Sequence, residues 1–162
     1  MTLVQIARPR VLQAILLGGL AAGLLDGIDA VVFYRLYAGV PPFRLFQHIA
    51  SGLLGAKALD GGWYTMILGV VLHFSIATGA AGVYCAASLK FPALLSKPFL
   101  CGPAFGFGLY LFMHYLVVPL SAAFPKRGLD MPMPELVDQL FSHMFFVGLS
   151  IALLAQRAAR VR

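Results

Sequence analysis

The sequence predicts an all-α fold of the polytopic membrane class: a four-transmembrane-helix bundle with an outer interfacial or re-entrant helix between helices one and two. Three observations lead there. Of 162 residues, 60% are hydrophobic and only 11% are Asp, Glu, Lys or Arg, against about 45–50% and about 25% in soluble globular proteins. Four apolar stretches of roughly 20 residues or more recur along the chain, each able at about 1.5 Å per residue to cross a hydrocarbon core of about 30 Å. No period-2 alternation of about ten residues repeats, so a barrel is not indicated. The same composition excludes a soluble enzyme and a disordered chain. The twelve Lys and Arg residues give a net charge of +6, but they stand in ones and twos at segment ends. That is the pattern of topology signals and headgroup contacts, so the partner is the lipid bilayer and not nucleic acid.

The first stretch, Val11 to Tyr34, follows Arg8 and Arg10. Its apolar run is about twice a secretory h-region of roughly 7–15 residues and continues past Asp26 and Asp29 without an A-x-A site, so it reads as a retained span. Between the first two spans, Ala38 to Gly62 is too long for a simple turn. Pro41 and Pro42 start a helix there, Phe43 to Leu59, and Gly61 and Gly62 end it. Its apolar face carries Leu45, Phe46, Ile49, Leu53 and Ala56, with Arg44, Gln47, Ser51 and Lys57 off that face, which suits an interfacial helix. The second span is Tyr64 to Leu89, the third Phe99 to Ala122 and the fourth Leu136 to Ala155. Phe124 to Pro134 is an exposed connection. Tyr34, Tyr37, Trp63 and Tyr64 form an outer aromatic belt. Four spans put both termini on one side, where seven basic residues lie against five on the other. The excess places both termini in the cytoplasm. Cys85 and Cys101 form no CxxC or CxxCH motif and read as packing residues.

Charge inside a span is costly, roughly 2.5–3.5 kcal/mol for an Asp at a helix centre. This chain nevertheless places Asp26 and Asp29 in the first span, His73 in the second, His114 in the third and His143 in the fourth. Counted from the outer helix ends, the histidines lie about 10–14 Å deep and the acids about 7–12 Å deep, in one layer. Gly19, Gly23 and Gly27 make two GxxxG steps, and the acids border that face. Gly69, His73, Ala77 and Ala80 make a small-residue stripe on the second span. Gln139, His143 and Ser150 make a polar stripe on the fourth. On the third, Gly102 and Gly106 allow close contact near the inner end, whereas Tyr110 and His114 hold the helices apart nearer the outer end. The expected result is a polar cavity in the outer half.

Such a site admits several chemistries. His73, His114 and His143 with one or two carboxylates could hold a transition metal, and two opposed histidines could ligate haem. The Asp pair could instead relay protons. Alternatively, all five groups are interhelical packing glue, worth roughly 0.6 kcal/mol per contact. His48 and Ser51, three residues apart in the outer helix, suggest hydrolase chemistry only faintly, since no GxSG motif accompanies them. Met131 and Met133 are soft copper ligands in type, but in a proline-rich turn they read as loop residues. A separate class of function is a structural or accessory subunit of a membrane complex, or a homo-oligomer, suggested by the glycine-rich faces and the lack of a soluble domain.

One resemblance rests on His73-Phe-Ser-Ile76, Tyr84-Cys85, Phe91-Pro92, the Gly102 and Gly106 region, His114 with Pro119-Leu120, Pro125, and Phe141-Ser-His143. In order and spacing these residues resemble the uncharacterised YagU-type bacterial inner-membrane proteins over about half the chain. The resemblance implies a multi-helix protein of the bacterial inner membrane and brings no substrate. The Asp26 and Asp29 pair departs from it.

Overall fold

The computed structural model describes residues 8–124 and 131–160. Lys126, Arg127 and most of the predicted third connection lie outside these residues, as does Arg162. Helix α1, Arg8–Ala38, leads through Gly39 to α2, Pro42–Leu54, which a 3-10 turn, Gly55–Asp60, joins to α3, Gly62–Lys90. The short α4, Ala93–Ser96, precedes α5, Pro98–Phe112, which runs on through a π-helical turn, Met113–Val117, into α6, Val118–Leu120. The last span is α7, Met133–Phe141, a π-helical segment, Ser142–Leu149, and α8, Ser150–Arg160. Four of these runs, Arg10–Ala38, Gly62–Lys90, Pro98–Leu120 and Met133–Arg160, are long and apolar enough to cross a membrane. They match the four predicted spans with ends shifted by a few residues, the third stopping at Leu120 and not Ala122. The all-α, membrane-type bundle is as the sequence predicts.

The distribution of side chains matches a lipid solvent. Leu12, Leu16, Ile28, Val71, Val83, Phe99 and Leu100 are all more than half exposed. The buried apolar core is made mostly of alanines, with Tyr84, Cys85, Leu95 and Ile151. Lipid tails are as apolar as leucine, so large side chains gain little by turning inward, and contact goes to residues that let backbones approach.

Those approaches set the order of the bundle. α1 packs along α3 on one side and against the fourth span on the other, and the fourth span packs along α5. The spans therefore run second, first, fourth, third, and the second and third are neighbours only across a gap. At the α4 end the gap is filled. Tyr84 donates a hydrogen bond to the Leu94 carbonyl at 2.8 Å and its ring meets Phe105, while Gln156 donates to the Leu95 carbonyl at 2.7 Å. At the other end α2 bridges it.

α2 is begun by Pro41 and Pro42, as predicted, and changes to a 3-10 turn at Gly55, whose φ of 62° opens the left-handed region to glycine. Its polar side is turned onto the bundle, whereas the pattern alone puts Gln47 and Ser51 toward water. Gln47 and Ser51 are fully buried, whereas Leu53 is 63% exposed. The Gln47 amide donates to Thr65 Oγ1 and the Gly62 carbonyl, both at 3.2 Å. Phe124 N donates to Ser51 Oγ at 2.9 Å, and Ala122 N donates to the Gly52 carbonyl at 2.9 Å. These bonds satisfy backbone groups where the chain leaves the third span, and they override amphipathic patterning. The Phe46 carbonyl rests on Gly69, so α2 reaches about two turns below the start of α3.

At the third and fourth spans, a Cβ on Gly106 would overlap the His143 carbonyl, and one on Gly102 would lie 2.8 Å from Leu149 Cα. Gly108, two residues on and on the opposite side of the helix, has open space around it. Replacing Gly106 by Val is expected to cost about 1–3 kcal/mol through overpacking, while Gly108→Ala leaves stability unchanged. Thermal unfolding in detergent reads both. Equal melting temperatures for the two variants would show that the crossing is not held by backbone contact.

Candidate functional site

The glycine steps of α1 build the first half of the site. A Cβ on Gly19 would stand 2.5 Å from Thr78 Cα, one on Gly23 2.6 Å from the Phe74 ring, and one on Gly27 3.2 Å from His73 Nε2. The close approach lets His73 Nε2 bond the Gly23 carbonyl at 2.8 Å. A carbonyl only accepts, so Nε2 is the protonated ring nitrogen. The same nitrogen lies 4.0 Å from Asp26 Oδ2, which makes these two a loosely held pair, 13% and 20% exposed.

The fourth span supplies the second half. Ser142 Oγ donates to Asp26 Oδ1 at 2.7 Å and also faces Asp29. Asp138, one turn before Ser142, lies within electrostatic range of Asp29, Asp26 and Glu135. Tyr34 donates to Glu135 Oε1 at 2.5 Å, and Glu135 is buried. Asp29 Oδ2 and Asp138 Oδ2 have no hydrogen-bond partner among the described residues. Sequence reasoning found Asp26 and Asp29 and missed Glu135 and Asp138. The signal was present: Glu135 and Asp138 are one turn apart, as Asp26 and Asp29 are, and Ser142 follows Asp138 by four. Tyr34, assigned to the aromatic belt, is half-buried against Glu135, while Trp63 and Tyr64 are exposed as a belt requires.

The three histidines do not converge. His114 stacks on Tyr110 with centroids 5.4 Å apart, and His143 meets the same ring edge-on at 5.7 Å. His143 Nδ1 is bonded to the Gln139 carbonyl at 2.9 Å. His73 instead lies against Phe74 and Phe46. Among the described residues no three His, Cys, Asp or Glu side chains are arranged to hold a metal ion. Common depth thus failed as a guide to common site, because His114 and His143 face Tyr110 while His73 faces α1. The predicted stripe Gln139, His143 and Ser150 is also broken. The π segment redirects it, and Ser150 bonds the Phe146 carbonyl. His48 and Ser51 do not form a nucleophile and base. The Ser51 hydroxyl donates to the His48 carbonyl at 2.6 Å, and the imidazole bonds the Phe124 carbonyl at 3.2 Å.

Where the second and third spans part, a cavity of about 540 Å³ opens. Its walls come from α1 (Asp26, Gly27, Ala30, Tyr34), α2 (Leu45, Phe46, Ile49, Leu53), α3 (Leu72, His73, Ile76), the third span (Met113, Val117, Val118) and Gln139. The cavity lies in the half of the bundle where the sequence predicts one, but its wall is predominantly apolar. Its ionisable groups are Asp26, Tyr34, His48 and His73; His114 and His143 do not line it. No protein-family model, curated protein or solved structure matches this chain.

The geometry separates Asp26, which has a partner, from Asp29, which has an unpaired oxygen and acidic neighbours. Ser142→Ala is expected to lower stability by about 0.5–2 kcal/mol through loss of the bond to Asp26. Asp29→Asn, which removes a buried charge, is expected to leave the melting temperature unchanged or raise it. A fall for Asp29→Asn as large as that for Ser142→Ala would contradict this assignment.

Proposed function

We propose that the protein is an integral protein of the bacterial inner membrane, with both termini cytoplasmic, that holds a small amphipathic molecule in the outer half of its bundle. The observation that carries this reading is the cavity. Its volume falls within the range of about 300–1,000 Å³ usual for ligand sites, and an apolar lining with a few placed polar groups is the usual composition of such sites. Asp26 and His73 are its polar anchor. The excess of basic residues on the side of the termini supports the orientation, and the YagU-type resemblance supports the location. His114 and His143 take no part in the binding; they pack the fourth span against the third.

A titration with a neutral lipophilic fluorophore, N-phenyl-1-naphthylamine, tests the reading in lipid nanodiscs. Saturable binding is expected above the partition into empty discs. Ile49→Trp, which fills the cavity, is expected to abolish it with the helical circular dichroism unchanged. Partition alone, with no saturable component, would leave the chain as an accessory or structural subunit.

Proton passage is the second reading, favoured by the Ser142 hydroxyl that faces both Asp26 and Asp29, with Asp138 behind them. It predicts a proton flux across proteoliposomes that Asp26→Asn reduces at least about tenfold, since removal of a general acid or base typically costs 10²–10⁴-fold in proton transfer. A flux equal to that of empty liposomes rejects it.

A further inference from the structure

The cavity carries an acidic group and no permanently charged base. Among the described residues of its wall, Asp26 is the one carboxylate, and no lysine or arginine is present. Asp26 spends Oδ1 on Ser142, while Oδ2 stands 4.0 Å from His73 Nε2, beyond hydrogen-bond length. Both histidines of the wall are engaged elsewhere, His73 with the Gly23 carbonyl and His48 with the Phe124 carbonyl. Asp29 and Asp138 stand behind Asp26, outside the wall. A carboxylate placed in an apolar bundle is costly unless closely paired, and its contact with His73 at 4.0 Å is loose.

We propose that the occupant of the cavity is a lipophilic cation: a molecule with an organic ammonium, or a similarly delocalised positive group, on a compact apolar body. The inference rests on the cavity being a ligand site and names the chemical class that fits it. A cation placed against Asp26 supplies a closer counter-charge, and Tyr34, Phe46 and Phe124 on the same wall are the residue types that attract a desolvated positive group. The apolar body is held by Leu45, Ile49, Leu72, Ile76 and Val117. A hydrated inorganic cation is a poor fit, because Asp29 and Asp138 do not reach the cavity and the wall offers few oxygens to replace its water. An anion of the same shape meets the repulsion of the Asp26 carboxylate.

Three probes of nearly one shape and different charge test the class: tetraphenylphosphonium, tetraphenylborate and neutral tetraphenylsilane. Each is measured by equilibrium dialysis against the full chain in nanodiscs of neutral lipid, with empty discs subtracted. The phosphonium is expected to bind saturably and at least about tenfold more tightly than the borate, the size of effect one charge contact supplies at a partly screened site. Asp26→Asn is expected to abolish that preference while leaving the silane unaffected. Saturable binding of borate or silane as tight as that of the phosphonium, lost in Ile49→Trp, overturns the cationic class and leaves the ligand site standing. No saturable binding of any probe overturns both. The comparison of charges in the unmodified chain decides the matter even where Asp26→Asn fails to fold.

Discussion

Everything in this bundle depends on how helices attract one another in a solvent as apolar as their own side chains. With no hydrophobic gain from turning a leucine inward, adhesion comes from van der Waals contact, and contact is closest where glycine exposes backbone. Gly19, Gly23 and Gly27 bring α1 onto α3, and Gly102, Gly106 and Gly148 bring the third span onto the fourth. Between these two tight pairs, α1 meets the fourth span. A row of four helices with its two ends unjoined is the result.

The unjoined edge is where the polar groups acquire meaning. One end is closed by Tyr84, Phe105 and α4, which place a large ring and a capped turn in the gap. The other end is bounded by α2, pinned through Gln47 to Thr65 and through Ser51 and Gly52 to the chain beyond the third span. The cavity is therefore the space that remains when the gap is bridged at a distance. Asp26 stands on its wall because the glycine face of α1 turns that side of the helix toward α3 and the fourth span.

The spans were legible because length and hydropathy are local properties, and the α1 contact was legible because GxxxG spacing carries its mechanism with it. The tightness of one half and the looseness of the other followed from Gly102 and Gly106 against Tyr110. Convergence of the histidines was not legible. Depth can be counted along a helix, but facing depends on a register that the π segments of the third and fourth spans shift. The facing of α2 is hidden for a different reason. Gln47 and Ser51 look solvent-exposed by pattern, yet hydrogen bonds to Thr65 and Phe124 make burial the better outcome for them. Glu135 and Asp138 went unnoticed because they lie at a helix start, where acids are ordinary.

The π segment Ser142–Leu149 has one more consequence. A π turn holds one residue more than an α turn, so the fourth span carries a surplus residue between its acidic end and its basic end. Were the same residues wound as an ordinary α-helix, α8 would turn by about 100° relative to Asp138 and Gln139. Ile151, Ala152 and Ala155, now fully buried, would leave the contact with α1 while the acids kept theirs. The winding of this segment is thus held more strictly than its composition: many replacements would fit, provided the wide turn survives and lets the two ends of one helix face different neighbours.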